Sequence, residues 1–236
     1  MRNYIILNGK ISTTIRGLLI QELPPITKPQ IRTEVEEIDG RDGDIVTKLG
    51  YSAYNRDFTI GLYGDYDIDS IIEYFNSEGI VVFSNEPDKY YKYQILEEIN
   101  FERLLRFRTA TVTMHVQPFK YSATDNVKIF ETSNNIDKSI SIRNVGNVFS
   151  KPRLTIEGSG LIYILINGVQ VLVLNIGTFG KITIDPSIME AYNGNQLLNR
   201  YVNGDYEKCK LKVGKNVISW TGRITQLKIE NYSRWI

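Results

Sequence analysis

Between Thr109 and Val116 the chain alternates without a break, Ala110, Val112, Met114 and Val116 against Thr109, Thr111, Thr113 and His115. A period of two places each set on its own face of an extended strand, and no helix can present it that way. Phe58, Ile60 and Leu62 alternate in the same manner with Asp57, Thr59 and Gly61. Strands with one apolar face pair into sheets that cover a core on that side. The spacing predicts further strands at Tyr4–Leu7, Arg16–Leu23, Ile80–Phe83, Tyr90–Leu96 and throughout Phe101–Pro118, with Asn8-Gly9 as a type I′ turn. Helical spacing occurs once, where Ile68, Ile71, Ile72 and Phe75 stand at i, i+3, i+4 and i+7. Asp67 or Asp69 caps that helix and Gly79 ends it.

Beyond Gln117–Asp125 helical periodicity disappears. The strongest local signal is Leu161–Ile166 and Val169–Leu174, two apolar runs around Asn167-Gly168, a hairpin expected to be covered on both faces. Short strands are expected at Val127–Glu131, Ser139–Arg143, Arg153–Ile156, Lys181–Ile184, Lys208–Val213, Val217–Trp220 and Ile224–Ile229. The chain therefore reads as mainly β. An α+β domain over 1–125, with one helix packed on a β-sheet, precedes an all-β sandwich over 126–236.

The segment 31–51, IRTEVEEIDGRDGDIVTKLGY, fits neither domain. Its ends are extended and its middle, DGRDGD, has the glycines and carboxylates of a chain reversal. The resulting hairpin arm carries few large apolar groups, and an isolated two-stranded ribbon is marginal in water. It needs a neighbour, so we read it as a contact between copies. Thr33, Val35, Glu37, Asp39, Gly40, Arg41, Asp42, Gly43, Ile45, Thr47 and Leu49 form the expected oligomer interface.

Chemistry is hard to place on this sequence. Lys and Arg number 28 against 27 Asp and Glu, which gives no electrostatic grip on nucleic acid or anionic membrane. Cys209 is the only cysteine, so neither an intrachain disulfide nor a cysteine-rich zinc site is expected, and a reducing compartment is the simpler reading. The start MRNYIILNGK has too short an apolar run for a signal peptide, and no stretch has the length of a membrane span. His115, the one histidine, follows a threonine face with no nucleophile pattern. Asp39, Asp42 and Asp44 lack the alternate oxygen ligands of a calcium loop, because Arg41 and Gly43 intervene. Gly40 and Gly43 have the wrong spacing for a dinucleotide fingerprint. No catalytic residue, cofactor or metal is assigned, and the chain is not read as an enzyme. The alternative is a carbohydrate-binding module recognising cell-wall glycans, with Tyr201, Tyr206 and Trp220 as sugar contacts among the aromatics that also include Tyr192 and Trp235; Trp220, in NVISW, is as plausibly core.

Several short motifs resemble, in order and spacing, the distal tail proteins of long-tailed phages that infect Gram-positive bacteria. In the first half these are Gly40-Arg41-x-Gly43, Tyr54-x-Arg56 leading into a strand, the helix after it, and Pro118-Phe119-x-Tyr121. In the second they are Asn144-x-Gly146 with Pro152 downstream, Ile166-Asn167-Gly168, Ile184-Asp185, Gly204-Asp205-Tyr206 and Gly214-x-Asn216. Asp39 and Val213 depart from the family's pattern at positions where proline is common. The resemblance implies a tail-tube-like N-terminal domain, a galectin-like C-terminal sandwich, and a six-fold ring at the virion tail tip. It also implies contacts with the tail-tube protein, the tail-associated hub protein and receptor-binding proteins, around a channel for DNA. Near-neutral charge suits such a channel, because each neutralised phosphate would add binding that has to be released.

Overall fold

The computed structural model describes residues 2–75, 77–124, 127–131 and 139–236. Asp125 and Asn126, on which the composition places the domain boundary, lie outside them. Two compact units emerge, 1–123 and 124–235.

The first unit contains β1 (Ile5–Leu7), β2 (Lys10–Ile11), β3 (Leu18–Glu22), β4 (Ile31–Glu36), β5 (Ile45–Tyr51), β6 (Tyr54–Leu62), α1 (Ile68–Tyr74), β7 (Glu78–Phe83), β8 (Lys89–Gln94), α2 (Phe101–Phe107) and β9 (Thr109–Ser122). Its sheet runs β2-β1-β7-β8-β9-β6-β3, with every neighbouring pair antiparallel. β6 and β9 are paired along their length, Phe58 opposite Val112 and Ile60 opposite Ala110. The alternation is obeyed: Ala110, Val112, Met114 and Val116 are all buried. Asn8 and Gly9 have φ of 48° and 86°, the positive values a type I′ turn requires.

The helix is shorter than its spacing suggests, and its buried stripe is rotated. Asp67 accepts from the backbone of Asp69 and Ser70, and Ile71, Tyr74 and Phe75 face the core while Ile72 is exposed. Tyr74 decides the rotation, because its hydroxyl donates to the carbonyls of Ile5 and Lys10, each at 3.1 Å. Gly79 is not the helix terminator but a residue of β7. A Cβ there would fall 1.9 Å from Oδ1 of Asn8, which accepts from the Ile80 amide.

The larger correction concerns Phe101–Phe107, expected as strand and folded as α2. Asn100 caps it by accepting from the Arg103 amide at 2.7 Å, Leu104 is buried, and Arg108 ends it at φ 59°. The cap and its following Glu102 were the available signals. They were masked by the period-two run beginning at Thr109.

In the second unit the strands are β10 (Lys128–Glu131), β11 (Ser139–Asn144), β12 (Arg153–Ile166), β13 (Val169–Ile176), β14 (Lys181–Asp185), β15 (Glu190–Asn193), β16 (Gln196–Leu197), β17 (Val202–Gly204) and β18 (Gly214–Glu230). Four of the predicted strands merge into two long ones, β12 and β18, paired along both halves. Around one half the order is β10-β18-β12-β14-β15-β16; around the other β11-β18-β12-β13-β17. The ladder between the long strands slips at Glu157/Gly158 and Ser159/Tyr163. There the sheet turns a corner, and residues of both halves share one core. Gly158 and Gly222 permit it: a Cβ on Gly222 would lie 2.3 Å from the Leu161 carbonyl oxygen, and one on Gly158 2.3 Å from that of Arg223.

Asn167 and Gly168 turn with φ of 53° and 82°. The hairpin they join is covered on one face rather than two. Ile162, Ile164, Leu172 and Leu174 are buried, whereas Leu161 and Val169 are exposed. Lys208–Val213 is not a strand. Tyr206–Lys208 forms a 3-10 turn, and Leu211 makes an isolated bridge to Ser150.

Because Gly222 combines φ of 99° with a backbone contact, Gly222→Val is expected to cost about 1–3 kcal/mol or more. Urea unfolding should show that loss. Gly160→Ala, at φ 75° with open space around it, should cost only about 1 kcal/mol.

Candidate functional site

β4 and β5 pair only with each other, forming a separate two-stranded sheet. The register sets Val35 opposite Val46 and Glu34 opposite Thr47, with a slip between Arg32 and Thr33. Gly40 and Gly43 take φ of 82° and 76° at the reversal, and the Arg41 amide donates to the Ile38 carbonyl. Every described residue from Arg32 to Asp44 is exposed, and β5 is exposed as far as Leu49 apart from half-buried Ile45. Val35 and Val46 are 52% and 57% exposed although they face each other across the ribbon. Thr33, Val35, Glu37, Asp39, Gly40, Arg41, Asp42, Gly43, Ile45, Thr47 and Leu49 thus lie on one structural element, an arm of the first unit.

The arm's root is held firmly. Tyr51 packs edge-on against Phe119 at 5.6 Å, and the Ser52 amide donates to the Gln30 carbonyl. Just upstream, Pro24 and Pro25 are gripped by Arg56, whose Nη2 donates to the Pro25 carbonyl at 2.8 Å. Asn85 Nδ2 donates to the Pro24 carbonyl at 3.0 Å.

Arg56 is only 2% exposed. Its guanidinium lies over the rings of Phe83 and Tyr91, at 5.0 and 4.5 Å. Glu86 lies 3.8 Å from Nη1 and receives hydrogen bonds of 2.6 Å from both Lys120 Nζ and the Tyr91 hydroxyl. One buried carboxylate therefore serves two buried cations. The aromatic faces and proline carbonyls supply the remaining stabilisation of Arg56. Burial by itself raises the Glu86 pKa, but the bonds from Lys120 and Tyr91 and the charges of Lys120 and Arg56 outweigh it and hold the carboxyl below its ordinary value.

Sequence reasoning found Tyr54-x-Arg56 only through its resemblance and missed Glu86 and Lys120. A signal existed for Arg56. It shares the inward parity of Phe58, Ile60 and Leu62 along β6, and an arginine on a core face demands a buried partner.

The residues proposed for sugar are not a platform. Trp220 is 3% exposed and packs edge-to-face on Phe130 at 5.5 Å, so its face is closed. Tyr201 packs on Phe179 at 5.0 Å, and the Tyr206 hydroxyl is buried. Nothing brings the three together on an open face. His115 pairs through Nδ1 with Asn55 Oδ1 at 2.9 Å. Burial pushes the Cys209 thiol up to about 12, with Asp205 adding to the shift, which leaves it unreactive. Among the described residues no group of three or more His, Cys, Asp or Glu side chains is arranged to hold a metal ion, and no helix is long and apolar enough to cross a membrane.

The motifs of the second unit also have structural work. Buried Asn144 donates to the carbonyls of Val148 and Leu211 and accepts from the Gly146 amide. Buried Asn216 donates to Lys212 and Gly214 carbonyls and accepts from Asn167 Nδ2. Asp185 accepts two bonds from Arg153, at 2.8 and 2.9 Å. These side chains pin loops and strand ends.

Neither a family profile nor a curated protein matches the chain. Solved structures do. The chain superposes on SPP1 Dit (gp 19.1), described as a paradigm of the hub adsorption apparatus in Gram-positive-infecting phages, with a TM-score of 0.63 at 17% identity. The match covers 98% of this chain and 99% of that one. The fold is that of a phage Dit protein. A chain of the phage P2 baseplate, in its activated conformation with Ca, matches at a TM-score of 0.50 and 11% identity, covering 97% of each chain. The Dit fold thus extends over both units, including the span that holds the arm and its clamp.

A carboxylate with a depressed folded pKa stabilises above its unfolded value, near 4.5 for glutamate, and that contribution is lost as pH falls through the folded value. Glu86→Ala, which strands two buried cations, is expected to cost about 3–5 kcal/mol at neutral pH. Urea titrations should also show a smaller loss of stability for Glu86→Gln than for the unaltered chain between about pH 5 and pH 3.

Proposed function

We propose that this chain is a distal tail protein, a non-enzymatic structural component of a phage tail tip. The observation that carries the reading is the end-to-end match to SPP1 Dit, 98% of one chain on 99% of the other. The arm supports it independently. A ribbon that leaves Val35, Ile38, Val46 and Leu49 exposed gains stability when a second copy covers it, and a head-to-tail ring gives every arm a partner with no unpaired end.

On this reading the first unit is tail-tube-like and forms a six-fold ring around a channel for DNA. The second is a galectin-like sandwich. One ring face meets the tail-tube protein, the other meets the tail-associated hub protein, and the periphery holds receptor-binding proteins. The buried Trp220 and the packed Tyr201 weigh against the carbohydrate-binding alternative as the sequence framed it.

Deletion of Asp39–Asp44, with a two-residue Asn-Gly closure, should leave both units folded and abolish ring assembly. Sedimentation velocity and negative-stain electron microscopy of the purified full chain check this. Unchanged rings after the deletion would sink the interface reading.

A further inference from the structure

Resting on the reading of the arm as a contact between copies, we propose that its acidic end docks on α2 of the adjacent copy. Glu36, Asp39, Asp42 and Asp44 would then face Arg103 and Arg106, and Val35 and Val46 would cover Phe107.

The charge distribution points to this pairing. Between Glu34 and Ile45 the arm carries six carboxylates and a single base, Arg41, in a chain whose net charge is only +1. Among the described residues none of these carboxylates forms an ion pair, and neither does Arg103 or Arg106. Six unpaired acids crowded on a ribbon repel one another, and an opposing cationic face relieves that repulsion.

α2 has the matching chemistry. Leu104 turns inward and is fully buried, which leaves Arg103, Arg106 and Phe107, spaced i, i+3 and i+4, on the outer side. Phe107 is 64% exposed; Leu105, two residues earlier, lies on the other side of the helix. An exposed aromatic ring beside two guanidiniums is the composition of an interface rather than of an ordinary solvated helix face.

Topology fits a contact between copies. The arm leaves at the Tyr54 end of β6, while the chain through α2 runs from Glu97, which accepts from Asn55 Nδ2, to Arg108, whose carbonyl accepts from the Leu62 amide. The C-terminal end of α2, with Arg106 and Phe107, is therefore its part most remote from the arm's root. Arm and helix are different patches of one surface, and their contact between copies is heterologous, head-to-tail, closing into a ring when the rotation allows.

The test compares full-length variants by sedimentation velocity over a concentration series. One carries Asp39→Lys, Asp42→Lys and Asp44→Lys, one carries Arg103→Glu and Arg106→Glu, and one carries all five changes. Each partial set is expected to weaken self-association by about tenfold or more, and the combined set to restore it to within about threefold. Arg143→Glu with Lys215→Glu, a cationic cross-strand pair on the second unit, should change nothing. If the arm variant fails to assemble while the helix variant assembles normally, the arm docks elsewhere: this inference falls and the arm interface stands. If the combined set stays dissociated with native near-UV circular dichroism, the pairing is also wrong. Should Glu at both positions unfold α2, Arg103→Gln with Arg106→Gln keeps the test open through weakened, less salt-sensitive assembly. A chain without its arm that assembles normally, or an unaltered chain that never self-associates, overturns both readings.

Discussion

Two strands alone cannot enclose a core. The exposure of every residue from Arg32 to Asp44 follows from that constraint. The β4–β5 ribbon pairs only the backbone groups that face each other, leaves both outer edges open, and has no layer against which to bury its valines. Covering a half-exposed valine or leucine contributes roughly 1 kcal/mol, so the arm's exposed apolar residues represent a few kcal/mol available to a partner. A ribbon of this kind also needs a fixed point of departure, since an arm that swings freely would lose on docking much of what burial gains.

The Arg56–Glu86–Lys120 cluster supplies that fixed point. A buried group with two cations for one carboxylate is a poor way to gain stability, because desolvation of each charge offsets most of the attraction between them. Its geometry is directional, however. The guanidinium, carried by β6, meets the Phe83 and Tyr91 rings and the Pro24–Pro25 carbonyls together, and so ties the segment entering the arm to β6, β7 and β8. Proline at both positions stiffens the same segment and presents carbonyls without competing amides. Tyr51 against Phe119 holds the departing strand from the other side.

In the second unit the economy is different. One sheet is folded at glycine corners so that two long strands belong to both of its halves, and the core needs no connecting helix. Asn144, Asn216 and Asp185 then secure the loops and strand ends. Short motifs in a binding module commonly mark a ligand site, but here they mark positions where a buried polar side chain replaces backbone pairing. Core positions, by contrast, require little more than apolar volume.

The sequence by itself determined the β character of the chain, the two tight Asn-Gly turns, the inward face of β9 and the presence of the arm. Each of these follows from interactions a few residues apart: alternation, positive φ at a turn, and the absence of apolar bulk. What tertiary structure alone decided are the matters of distant pairing. Phe101–Phe107 carries apolar residues that serve a strand or a helix equally, and the Asn100 cap prevails only together with the burial of Leu104. Trp220 shares the parity of Ile218, which suits a core residue or an aromatic platform equally, until Phe130 of β10 closes over it. Glu86 and Lys120, 34 positions apart, have no local pattern at all. A buried charge cluster is defined by which strands become neighbours, and that is fixed by the sum of the whole core rather than by any segment that contributes to it.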